Sequence, residues 1–109
     1  MVTPLACSLV GTEQSVAILP ATRAAALYGV RTSVEDYYCS YGVNPAYRAR
    51  LEAAGMVVSG LGDEGEIRIV ELPGHFFLAT LFLPQTRSAP GAPHPLLAGF
   101  AAAVRQTAA

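Results

Sequence analysis

Cys39 is the side chain with the widest chemical range in this 109-residue chain. A thiol becomes a working nucleophile when a base or a nearby positive charge lowers its pKa. Its neighbours are Tyr37, Tyr38, Ser40 and Tyr41, and no Lys, Arg or His lies between Thr32 and Tyr47. That setting suits a semi-buried small residue, and a reactive thiol stays open as the alternative. Cys7 falls in the apolar run Leu5–Val10 and reads as core. Neither cysteine belongs to a CxxC pair, and the two histidines are not at metal-ligand spacing, so no metal site and no cofactor is expected. His75 follows Pro73-Gly74 in a turn, while His94, between Pro93 and Pro95, reads as a brace for the last helix. A general base needs a positioned partner, and neither histidine has one at local spacing. Tyr38, Ser40 and Tyr41 are the candidates for substrate contact. Glu64 and Glu66 read as solvated turn residues.

The elements that position these residues follow from periodicity and punctuation. Leu5–Val10 and Ser15–Leu19 read as strands, separated by a polar turn over Gly11–Gln14. Thr22 is an N-cap for a short helix to Tyr28, with Gly29 just past its end. Ser33–Cys39 reads as a strand. Asn44-Pro45 starts a helix that Gly55 ends, with Tyr47, Leu51 and Ala54 on one face. Met56–Gly60 and Glu66–Leu72 form a hairpin across Gly62-Asp63-Glu64-Gly65. Phe76–Leu83, apolar apart from Thr80, reads as a strand buried on both faces. A proline-rich loop over 84–95 leads to a helix from Pro95 to Arg105, its buried face made by Leu97, Phe100, Ala101 and Val104. The order β-β-α-β-α-β-β-β-α is mixed α/β with substantial antiparallel content.

Several segments, in order, resemble the class I glutamine amidotransferase domain of the CTP synthase type. They include Ala25-Ala26-Leu27-Tyr28-Gly29, Tyr41 with Val43-Asn44-Pro45-Ala46-Tyr47-Arg48, and Leu51-Glu52-Ala53-Ala54-Gly55-Met56. Ser59-Gly60, Ile69-Val70-Glu71-Leu72-Pro73, Phe77, Phe82, Pro84, Arg87-Ser88 and Pro90-Gly91-Ala92-Pro93-His94-Pro95-Leu96 continue the match. Each piece is weak alone; their collinearity is the signal. The resemblance implies an α/β fold, the C-terminal half of a flavodoxin-like amidotransferase domain, with a mixed sheet and about three helices over residues 1–109. It also implies losses. The family's strand ends in Phe-His-Pro-Glu, completing a Cys-His-Glu triad; here the frame reads Phe82-Leu83-Pro84-Gln85. Leu83 cannot accept a proton, and the Gln85 amide cannot stabilise an imidazolium as a carboxylate does. The family's basic stretch, which helps hold glutamine, is replaced by Asp36-Tyr37-Tyr38-Cys39-Ser40-Tyr41-Gly42, with only Tyr41 kept. Neither Cys7 nor Cys39 has the paired glycines of a nucleophile elbow. These departures resemble a CTP-synthase C-terminal-region-related subgroup, some of whose members are selenoproteins. No catalytic residue is assigned; Cys39 is the speculative one.

Composition bounds the remaining readings. The chain is 52% hydrophobic and 14% charged, with net charge −1. All seven basic residues are arginines, scattered without a run, which argues against nucleic-acid binding. No apolar run reaches membrane-spanning length and the first residues lack a basic signal region, so a cytoplasmic protein without membrane attachment is expected. The apolar excess calls for burial against another chain: a homo-oligomer or an N-terminal half-domain partner. Three functions follow as expectations. One is a degenerate amidotransferase-like interaction module without glutaminase activity. The others are a divergent enzyme or thiol-redox protein using Cys39, and a fragment of a longer CTP-forming amidotransferase.

Overall fold

The computed structural model describes residues 2–4, 9–38 and 41–108. Its frame is a five-stranded sheet built from β2 (Thr12–Ile18), β3 (Thr32–Tyr37), β5 (Val57–Leu61), β6 (Ile67–Glu71) and β7 (Leu78–Thr80), in the order β3-β2-β5-β6-β7. A separate two-stranded ribbon joins β1 (Val2–Pro4) to β4 (Tyr41–Val43). The mixed sheet of the sequence reading narrows to one kind of pairing: every described strand pair is antiparallel. Short turns join β5 to β6 and β6 to β7, and a parallel pair would need a much longer crossover.

Helix α1 (Arg23–Tyr28) forms where its punctuation places it. The Thr22 hydroxyl accepts the Ala25 N–H at 3.1 Å, and Gly29 closes the helix at φ 69°. A tertiary contact completes its first turn. The buried Glu71 carboxylate accepts the N–H groups of Arg23 at 2.7 Å and Ala24 at 3.1 Å. Those donors have no intrahelical partner, so an anion from β6 stabilises the helix start and pins it to the sheet. Helix α2 (Arg48–Ala53) is entered through a 3-10 turn, Pro45–Tyr47, capped by the Asn44 side chain. Helix α3 runs Pro95–Ala108. The core between the helices and the sheet comprises Val16, Ile18, Ala24, Tyr37, Ile69, Phe82 and Leu96.

One sequence expectation lies largely outside the described residues and three are corrected. The Leu5–Val10 strand falls largely outside the described residues, and Val10 lies in the turn entering β2. Thr12–Gln14 are strand, not turn: Thr12, Glu13 and Gln14 pair with Tyr37, Asp36 and Glu35. Their polarity marks a solvated face of a paired strand, and pairing outweighs composition there. The Phe76–Leu83 strand shrinks to Leu78–Thr80 at the sheet edge, with Phe77 46% exposed. Beyond it the Thr80 hydroxyl donates to the Phe82 carbonyl, and the Leu83 N–H turns away to the Asp36 carbonyl. Finally, Leu96 is the buried residue among the described ones of α3 and Gly99 is half-buried, while Leu97, Phe100, Ala101 and Val104, the expected buried face, are exposed. A Cβ on Gly99 would lie 2.5 Å from Leu27 Cδ2, so the glycine lets α1 approach and turns the apolar stripe outward.

Candidate functional site

The segment after β7 crosses the core and ends beside β3. Phe82, 2% exposed, packs edge-on against Tyr37 with ring centroids 5.9 Å apart. The Leu83 N–H donates to the Asp36 carbonyl at 2.9 Å. Pro84 then opens a 3-10 turn, Pro84–Arg87, where its missing N–H costs nothing. Leu83 is half-buried and Gln85 is exposed.

Around this turn the polar side chains are committed to one another. Asp36 accepts the Thr86 hydroxyl at 2.7 Å and the Arg87 Nη2 at 3.1 Å. The same nitrogen lies 3.1 Å from Glu13 Oε2. The Thr86 hydroxyl, and then the Arg87 guanidinium, hold the Asp36 carboxyl below the usual carboxylate range. Asp36 is therefore ionised at neutral pH and serves as an anchor for the turn.

Tyr38 leaves β3 with 59% exposure. Cys39, Ser40 and the Tyr41 side chain lie outside the described residues, as does Cys7; the Tyr41 backbone pairs with Pro4. His75 is exposed in its turn. Glu66 is more than a solvated residue: Oε1 accepts the Glu64 N–H at 2.6 Å and Oε2 meets Arg68 at 3.0 Å. Among the described residues, no three His, Cys, Asp or Glu side chains gather to hold a metal ion, and no helix is long and apolar enough to cross a membrane.

The densest polar cluster is one that residue spacing does not announce. Glu35, with its side chain 1% exposed, accepts Tyr28 Oη at 2.6 Å and Ser33 Oγ at 3.1 Å. His94 Nε2 lies 2.8 Å and 3.0 Å from its two oxygens. On the other side of the ring, Nδ1 accepts the Leu96 N–H at 3.1 Å. Nδ1 is thus the bare nitrogen, and Nε2 carries the proton given to Glu35. Burial first, then the bond to Glu35, raises the Tyr28 phenol far above its ordinary value, so it remains a donor. His94 is 4% exposed. Both ring nitrogens are engaged and sealed, so the imidazole ties β3, α1 and α3 together and has no free lone pair for a substrate. The sequence reading of His94 as a helix brace agrees with this, whereas Glu35 escapes that reading. The available signal is parity: Glu35 sits two residues before Tyr37, on the same strand face.

An apolar cleft of about 300 Å³ opens between β7 and α3, lined by residues including Phe76, Phe77, Leu97 and Phe100. Arg23 lies over the Phe76 ring, 5.1 Å from its centroid.

No protein-family model matches the chain. It is 44% identical over 92 residues to the CTP synthase of Chloroflexus aurantiacus, covering 83% of this chain and 17% of that protein. To the CTP synthase of Pyrobaculum calidifontis it is 43% identical over 103 residues, covering 92% of this chain and 19% of that one. Among solved structures it matches the glutaminase domain of Trypanosoma brucei CTPS, with acivicin bound, at TM-score 0.85 and 30% identity. That match covers 92% of this chain and 40% of the other. The chain therefore spans under a fifth of these curated relatives.

Proposed function

The chain is a relative of the glutamine amidotransferase domain of CTP synthase, and on that premise we propose that it is a non-catalytic interaction module built on that fold. The observation that carries the proposal is the fate of its two histidines. One is exposed in a turn; the other is buried with both ring nitrogens bonded. The strand end where the family resemblance puts a catalytic His and Glu presents Leu83 and Gln85 instead. Asp36, Thr86 and Arg87 beside it bond to one another. Acyl transfer from glutamine needs a nucleophile and a base within hydrogen-bond reach of each other, and the carboxylates among the described residues at this end of the sheet, Asp36 and Glu13, are both paired with Arg87.

Exposed apolar residues support the interaction role. Phe77, Leu97 and Phe100 line one cleft at 46%, 38% and 55% exposure. The partner is a second copy or the remaining, N-terminal portion of a glutaminase-type domain; the 40% coverage of the solved domain supports the second kind of partner. Purified protein should release no glutamate from glutamine above a protein-free control, and Leu83→His with Gln85→Glu should stay equally inactive. Turnover by either protein would overturn the reading.

A further inference from the structure

The sheet ends in two edges, and they differ. β3 carries Glu35 and Asp36, and its Asp36 carbonyl already accepts the Leu83 N–H. β7 has neither protection. Residues 76–86 contain no Asp, Glu, Lys or Arg, and β6 is the one described strand that pairs with β7. An open edge presents a row of unpaired N–H and C=O groups, a template for another strand, and native sheets usually blunt it with charge, proline or cover.

The groups that β7 offers follow from its register. The Leu72 N–H donates to the Phe77 carbonyl, and the Leu81 N–H donates to the Arg68 carbonyl. Phe77, Ala79 and Leu81 thus turn their backbone groups towards β6, and parity turns those of Leu78 and Thr80 off the sheet. Consider an antiparallel copy of the strand, with a two-fold axis at Ala79. Leu78 then stands opposite Thr80 of the second copy, and Thr80 opposite its Leu78. Both are hydrogen-bonded pairs, so the outward groups of each copy find partners. Ala79, exposed and small, meets itself with no bulk in the way. Leu78 and Thr80 also line the apolar cleft beside α3. A two-fold axis perpendicular to the sheet therefore brings the two clefts side by side on one face.

We infer that β7 is a dimerisation edge, to which β7 of a second copy adds antiparallel about Ala79, so that the five-stranded sheet of one copy continues into the other. The inference rests on the interaction reading and gives it a partner and a geometry. The second copy fits because the edge is self-complementary in its backbone groups, carries no charge to repel its own image, and lies beside an apolar cleft that the image also carries.

The test uses the full chain. Ala79→Cys places the thiol on the axis, in the close, non-hydrogen-bonded pair where opposed cysteines come within disulfide reach. Oxidised glutathione should convert this variant to a covalent dimer, with peptide mapping locating the bridge between the two copies of position 79. Phe77→Cys should give no such 77–77 bridge, because its two copies lie roughly 13 Å apart along the strands. Ala79→Lys sets like charges opposite each other, and should raise the dimer dissociation constant by at least about fivefold. Its melting temperature as a monomer should hold, because Ala79 is exposed. A monomeric wild type, a dimer without the 79–79 bridge, or equal bridging by Phe77→Cys would overturn the pairing. A dimer that Phe100→Glu dissociates but Ala79→Lys leaves intact would overturn it too, while keeping the cleft as an interface. Glutamine turnover is the separate result that would sink the non-catalytic reading beneath it.

Discussion

Glu35 accepts hydrogen bonds from Tyr28, Ser33 and His94, and this carboxylate ties β3 to α1 and to the start of α3. A buried carboxylate is tolerated because its oxygens are satisfied by donors from three sides. His94→Ala removes one of those donors and also strips the Leu96 N–H of its acceptor. We expect destabilisation of about 2–3 kcal/mol, measured by urea unfolding, because one change deletes both a hydrogen bond to a charge and the bond that caps the start of α3. Asp36, half-buried, gives a pH signature of a different kind. Its carboxyl is held below its ordinary value in the fold, chiefly by Thr86. A depressed folded pKa contributes stability above the unfolded value, and that contribution disappears as pH falls through the folded one. The melting-temperature gap between wild type and Asp36→Asn should therefore be fully open at neutral pH. It should close below about pH 4, where the unfolded carboxylate takes up its proton. A gap that stays constant to pH 2 would remove Asp36 from the account.

At the scale of elements, the β5–β6 pair shows what local signals capture and what they miss. The hairpin is legible from its Gly62–Gly65 loop and flanking apolar runs. The register shift between Val58 and Gly60 is not, because it depends on the partner strand. Gly60 lies where a Cβ would come within 2.5 Å of Ile69 Cγ1, and Ile69 is fully buried and branched at Cβ. Gly60→Ala should cost about 1–3 kcal/mol in chemical unfolding through that overlap; an unchanged midpoint would mean that the bulge relaxes freely. Elements bounded by their own residues are legible in the sequence: Thr22 and Gly29 mark both ends of α1, although the Glu71 contact that completes its first turn is not visible there. Elements decided by distant partners are not. The edge strand β7 ends early because the backbone of residues 81–83 bonds to Arg68 and Asp36. The stripe on α3 faces outward because Gly99 admits Leu27. The same reason separates His94 from Glu35 in legibility: the proline-flanked histidine advertises a brace, whereas Glu35 gains its meaning from residues up to 59 positions away.

The whole molecule carries an exposed apolar surface between β7 and α3. Its radius of gyration is 14.0 Å, against about 13 Å for a compact chain of this length. Phe77, Leu97 and Phe100 stay half in water although the chain is 52% hydrophobic. Such clustering marks interaction surfaces more often than scattered single exposures do. If a second copy covers the cleft between β7 and α3, light scattering at micromolar concentration should return a mass above the 11.4 kDa monomer. Phe100→Glu places a charge in the middle of that surface, where burial against a partner would be costly. Phe100 is 55% exposed in the single chain, so the same change should leave the melting temperature of the monomer nearly unaltered. Dissociation without loss of fold separates an interface residue from a core residue. A wild-type chain that stays monomeric would exclude the second copy. Binding of an N-terminal glutaminase-type half, abolished again by Phe100→Glu, would then identify the other occupant.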